Sequence, residues 1–255
     1  MTNSLFFQQL NTEMIDRTFL KNNPVFVKAK SGSLPTEVLG EVIRQYVRFP
    51  EEIVKMLRGA AAHFPKNHPV HQELERNWGQ ESGSETGGIA HVQILKHGLK
   101  RDLSLNIDHV KGSGATEQFI ATVLDGMKEN PWFALGQAFA LEASAVPELA
   151  ILVGPAINLY ASKVGKPEPI KKVALQEDGT FALPTIKTAQ EAYAMDMSSW
   201  FALHIVDLEV GHRDFLRERA TGVLTNEAKQ EEFARGFRQV LGAMDRWWFA
   251  LSEGE

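Results

Sequence analysis

Cysteine is absent from all 255 residues. Its absence excludes disulfides, thiolate metal ligands and a cysteine nucleophile, and it fits a reducing cytoplasm, the expected compartment. Also missing is any excess of basic charge. The 27 Lys and Arg are scattered among 32 Asp and Glu for a net charge of -5, which leaves no electrostatic footprint for nucleic acid. No apolar run reaches the roughly 20 uninterrupted residues of a membrane span. The most apolar stretch, 134–159, is interrupted by Glu142, Pro147, Glu148 and Pro155 and is expected to form buried helices. The opening Met1-Thr2-Asn3-Ser4-Leu5-Phe6-Phe7 has no basic segment followed by an apolar core, so no signal peptide is expected. Tyrosine is scarce: Tyr46, Tyr160 and Tyr193 are the only three, and no spacing singles one out.

What is present is ordinary for a globular protein with a sizeable core, 44% hydrophobic and 23% charged. No linker, repeat or low-complexity tract divides the chain, so one domain over 1–255 is expected. Helical periodicity dominates. Phe6, Leu10, Met14 and Phe19 mark an opening helix. Ser33 before Leu34-Pro35-Thr36-Glu37 reads as a cap with proline in the first turn. The stripe that follows, Val38, Ile43, Tyr46 and Val47, then Ile53, Met56 and Leu57, is to be kinked or divided by Pro50. Further helices are predicted over 68–80, 89–103, 115–129, 132–146, 148–164, 187–219 and 225–251. Residues 82–88 read as a glycine-rich loop, and 166–186 as a small hairpin or an ordered loop. The class is all-α. The closing Met244-Asp245-Arg246-Trp247-Trp248-Phe249 is expected to pack on the bundle or on a second subunit.

Three helical segments carry six candidate metal ligands: Glu81 and His91, then Glu142, then His204, Glu209 and His212. Glu142 stands alone among Leu135, Ala138, Phe139, Leu141, Ala145 and Val146. A carboxylate isolated in such surroundings costs several kcal/mol unless a cation or donor lies nearby. Glu209 and His212 have the Glu-x-x-His spacing that presents both side chains to one metal pair. His204 lies five residues before Glu209, which on a regular helix sets them roughly 140° apart. A π-bulge absorbs the extra residue; otherwise Asp207, three after His204, takes the carboxylate role. Glu85 competes more weakly with Glu81. Asn77, one turn before Glu81, is placed to hold that carboxylate. Three carboxylates and three imidazoles without sulfur suit iron or manganese, and also zinc. Each segment has a plainer alternative: a solvated Glu81, a capping His91, an arginine-paired Glu142, histidines satisfied in the core.

Taken in order, the Asn-x-x-x-Glu at 77–81, His91, the Ala-x-x-x-Ala-x-Glu run near Glu142 and the last His…acid-x-x-His resemble the haem-oxygenase-like di-metal oxidases. These belong to the TenA/PqqC-like superfamily, here the branch that includes the Chlamydia protein associating with death domains. The resemblance covers most of the chain. It implies a single up-and-down bundle of about seven helices with Glu81, His91, Glu142, His204, Glu209 and His212 as ligands of two iron ions (manganese as the alternative), O2 as co-substrate and a small organic substrate such as an amino acid or fatty acid. Two departures stand out: five residues rather than four from His204 to the acid, and a glycine-rich loop before His91. The substrate cavity is expected to involve Tyr46, Phe139, Trp200 and Phe201. Expected partners are the small-molecule substrate and, from the fold, a second copy in a homodimer, with neither nucleic acid nor membrane. The competing expectation is a metal-free helical module for ligand binding or protein interaction that retains the fold.

Overall fold

The protein is seen here in a computed structural model that describes residues 3–166 and 186–255. Several of its helices start where side chains satisfy the free backbone N–H groups at their first turns. Asn23, Ser113, Asn130, Asp196 and Asn226 each accept such a bond, and Thr188 with Glu191 forms a reciprocal capping box. Gly254 at φ 85° closes the final helix in the left-handed region that glycine enters freely.

Eleven helices exceed a single turn among the described residues, rather than about seven. They are α1 (Asn3–Ile15), α2 (Pro24–Lys30), α3 (Thr36–Arg48), α4 (Ile53–Ala61), α5 (Pro69–Glu81), α6 (His91–Leu103), α7 (Gly114–Gly126), α8, α9 (Ala189–Ala194), α10 and α11 (Glu227–Glu253). Two contain a π-turn. α8 runs Pro131–Glu148, passes through a π-turn at Leu149–Val153 and continues as Gly154–Lys163. α10 runs Met197–Leu203, passes through a π-turn at His204–Leu208 and continues as Glu209–Val223. No strand occurs among the described residues, and the expected 166–186 hairpin lies outside them but for its two end residues.

Differences from the sequence-based boundaries have tertiary causes. The opening helix stops at Ile15 because Asp245 on α11 accepts the Phe19 backbone N–H at 3.0 Å and pairs with Arg17, pulling that segment out of line. Ser33 caps nothing; its hydroxyl donates to the Lys28 carbonyl, and α3 begins after Pro35. Pro50 divides α3 from α4 through a 3₁₀ turn, as its ring geometry requires. The helices expected at 132–146 and 148–164 run on into one another through the π-turn, with Pro147 in the helix just before that turn.

α8 is the central element. Every residue from Phe133 to Ser144 is buried, beneath α4, α7, α10 and α11. α8 and α11 run parallel in one register. Asn130 bonds Glu232, Gln137 bonds Gln239 at 2.6 Å, the Ser144 hydroxyl meets the Met244 sulfur at 3.6 Å, and the Trp248 indole N–H donates to Glu148 at 2.6 Å. The two backbones meet at glycines. A Cβ on Gly136 would lie 2.0 Å from the Phe233 carbonyl oxygen, and one on Gly236 would lie 2.1 Å from that of Phe133. Trp247 and Trp248 are buried against this core, which settles their packing onto the bundle, while Phe249 faces outward. Among the described residues no helix is long and apolar enough to cross a membrane.

Candidate metal centre

α5, α6, α8 and α10 each bring at least one of the six candidate side chains to one buried place. His91, Glu142, His204, Glu209 and His212 are between 1% and 8% exposed, and the Glu81 side chain is 13% exposed. Local backbone explains how residues ten apart in sequence, Glu81 and His91, come to face each other. Gly83, Gly87 and Gly88 all have positive φ, and a Cβ at Gly83 would lie 2.6 Å from the Ile89 backbone. The loop folds back on itself through Gly88 N–H to Gly83 O at 2.9 Å. The glycines of this loop are thus what turns α5 into α6.

The π-turn does the corresponding work on α10. The Glu209 N–H bonds the His204 carbonyl, five residues back, so the extra residue is absorbed and both side chains turn inward. Asp207 is exposed on the opposite side. Glu85 is exposed as well, accepting from the Gln80 side chain at 2.6 Å.

One ligand atom from each of Glu81, Glu209 and His212 lies within 4.8 Å of the other two. His212 Nδ1 is 3.2 Å from Glu142, 3.6 Å from Glu209 and 4.0 Å from Glu81. His91 Nδ1 is 3.4 Å from Glu81, and the His91 and His204 rings are 5.0 Å apart. Despite this crowding, His91 Nδ1, His204 Nε2 and His212 Nδ1 have no aligned hydrogen-bond partner. Two donors bound to one ion at about 2.1 Å sit about 3–3.5 Å apart, so these separations suit a shared cation better than mutual hydrogen bonds. The donor set is all oxygen and nitrogen, matching iron, manganese or zinc.

The far side of each group is held. His212 Nε2 donates to the Gln80 side-chain oxygen at 2.9 Å, and that oxygen also accepts from Arg76 at 2.6 Å. The His204 ring donates through Nδ1 to the Trp200 carbonyl at 2.8 Å, leaving Nε2 with its lone pair free. Asn77 does not hold Glu81 as expected. Its amide reaches across to α8 and donates to Glu142 at 3.1 Å, because its position on α5 faces α8 rather than the end of its own helix. Gln80 went unnoticed in the sequence, where it is one polar residue beside an acid at a helix end.

The electrostatics are those of a site stocked with negative charge. Burial presses the Glu81 carboxyl upward, but His91, His212 and His204 together draw it down to about 2. Burial acts to lower His91, yet Glu81 raises it above the usual value. At His212 burial again opposes, and Glu142 and Glu209 carry the imidazole well above its usual range. Burial and the neighbouring His91 push His204 down to about 3, so it stays neutral. Burial pushes Glu209 up. Without a metal, protons on histidine stand where cations would, and metal binding would release them.

Beside these groups lies a cavity of about 70 Å³. Tyr46 and Trp200 line it as expected, with Ile53, Leu95, Leu141 and Leu149 among the apolar walls. Phe139 and Phe201 do not. Phe139 sits about 120° round α8 from the cavity-facing side and packs on Phe7, Phe233 and Phe237. Phe201 follows Trp200 directly, so it points about 100° away and is buried in the core. Glu148, visible in the sequence only as a break in an apolar run, also lines the cavity.

Residues 4–167 match the model of a family described as a domain of unknown function with solved structure, DUF3865. A CADD-like protein of unknown function from Nostoc punctiforme PCC 73102 superimposes with a TM-score of 0.78 at 25% identity, covering 99% of this chain and 97% of its own. A domain of unknown function with a heme oxygenase-like fold, from Shewanella denitrificans OS217, gives a TM-score of 0.67 at 12% identity, covering 100% of this chain and 93% of its own. These likenesses make the fold heme oxygenase-like. No curated protein matches the chain.

Proposed function

The chain belongs to the DUF3865 family, and from that premise we propose that it is an O2-dependent non-haem oxidoreductase whose cofactor is a pair of iron ions, with manganese as the alternative. The observation that carries this reading is the meeting of three buried, unpartnered histidine nitrogens with three carboxylates. Glu81, His91, Glu142, His204, Glu209 and His212 would hold the metal. Bound there, iron would supply the electrons that activate O2 toward a small organic substrate.

The rest falls to the chain. Gln80, Asn77 and the Trp200 carbonyl fix the orientation of His212, Glu142 and His204, so the site is organised before metal arrives. The aliphatic walls keep water from the reacting centre and hold the substrate against it. Opposed carboxylates offset the positive charge of the metal pair in a buried place.

The test is anaerobic Fe(II) titration followed by O2 exposure, on wild type and Glu142→Ala. Close to two irons per chain and O2 consumption, both lost in the variant with its helical circular dichroism intact, support the proposal. A folded wild type that takes up no iron overturns it and leaves the metal-free binding module.

A further inference from the structure

One buried acid in the cavity belongs to none of the six candidate ligands. Glu148 is 1% exposed, and among the described residues its only hydrogen-bond partner is the Trp248 indole, which donates to one carboxyl oxygen at 2.6 Å. It lines the same cavity as Glu81, Glu142 and Glu209, whose walls contain no Lys or Arg. A substrate's carboxylate would therefore find no Lys or Arg to pair with, and the histidines there, like the metal they would hold, already face Glu81, Glu142 and Glu209. A substrate's ammonium would find in Glu148 a carboxyl oriented by Trp248 and paired with none of those histidines.

We infer that Glu148 binds the amine of the substrate, and that the substrate is a small, largely apolar organic amine. The inference extends the oxidase reading by naming the substrate class. Burial raises the Glu148 carboxyl to about 8, which keeps it protonated near neutral pH. An alkylamine, with a pKa near that of lysine at about 10.4, takes that proton and leaves an ammonium–carboxylate pair. In low dielectric such a pair is strong and selective. Trp200, also on the cavity wall, has a buried indole N–H with no partner, a donor for an oxygen carried by the same molecule. Glu148 is a specificity-determining residue: it places the substrate, and the candidate ligands adjoin the apolar part.

The cavity holds about five water-sized positions, so n-butylamine, n-butanol and butyrate are suitable probes. Their binding is followed by saturation-transfer NMR on the protein as isolated and after Fe(II) loading. Wild type is expected to bind n-butylamine at least about tenfold more tightly than either other probe, and Glu148→Gln to lose that preference. Gln keeps the size and the acceptor for Trp248, and the wild-type comparison needs no variant to fold. Preference for butyrate, or equal binding of all three probes, overturns the inference. Amine preference without iron uptake would retain it and remove the oxidase; iron and O2 uptake without amine preference would do the reverse.

Discussion

At His212 the ring nitrogen remote from the carboxylates donates to Gln80, and that bond decides which nitrogen is left for a metal. Gln80→Ala frees the ring to turn. Iron affinity is expected to fall about 10- to 100-fold with the fold unchanged, read by competition with a chelator; unchanged affinity would remove Gln80 from the site. Glu148 yields a pH-dependent outcome. Its carboxyl is raised from 4.5 to about 8 by burial. A carboxyl raised on folding stabilises in its protonated form, so its contribution is whole below about pH 4.5 and is lost as pH climbs toward 8. Glu148→Gln abolishes that loss. The variant should gain on wild type between pH 5 and pH 8, on the order of 3 kcal/mol at the upper end, in urea unfolding at both values; a gap independent of pH would mean Glu148 is ionised when folded. Some of these residues can be seen in the sequence and some cannot. Glu142 is conspicuous as one acid in an apolar run. Gln80 and Asn77 matter for what they face on other helices, and a local pattern carries nothing of that: Asn77 is one turn from Glu81 yet bonds Glu142.

Among the helices, the π-turns separate what spacing reveals from what it hides. Five residues between His204 and Glu209 cannot share a face of a regular helix, and the sequence therefore demands a bulge. The second π-turn, at Leu149–Val153 between Pro147 and Pro155, carries no such pair of polar markers and is not legible. Nor is the break after Ile15, imposed by Asp245 more than 200 residues away. Asp207 is exposed within the first π-turn, which makes a clean test. Deleting it converts the Glu209-to-His204 bond from five residues to four, the ordinary helical span, with both flanks still in phase. The deletion variant is expected to unfold within about 1 kcal/mol of wild type and to keep its iron binding. Deleting the exposed Glu218 from the regular part of the same helix turns Leu216 and Ala220 about 100° apart from their present relation and should collapse stability. Equal damage from the two deletions, in thermal melts, would contradict this account.

Across the whole molecule, the all-α class and most helix positions follow from periodicity, whereas the pairing that builds the bundle does not. α8 and α11 are joined by contacts 100 to 102 residues apart, a separation no local pattern records. Their glycine crossing is equally silent in sequence, since Gly136 and Gly236 look like weak helix residues until their backbones touch. Gly136→Ala and Gly236→Ala are each expected to cost at least about 2–3 kcal/mol, because a methyl group would drive the helices apart; urea denaturation measures it, and a neutral effect would refute the crossing. The same register bears on how the chain is made. During synthesis the central helix emerges without its principal partner, and the face that meets α11 stays uncovered until residues 227–253 have been translated. A nascent chain released at Thr225 should be held by chaperones or aggregate. Every one of the six metal-binding candidates is already present in it, so the final helix, which contributes none of them, decides whether they ever converge.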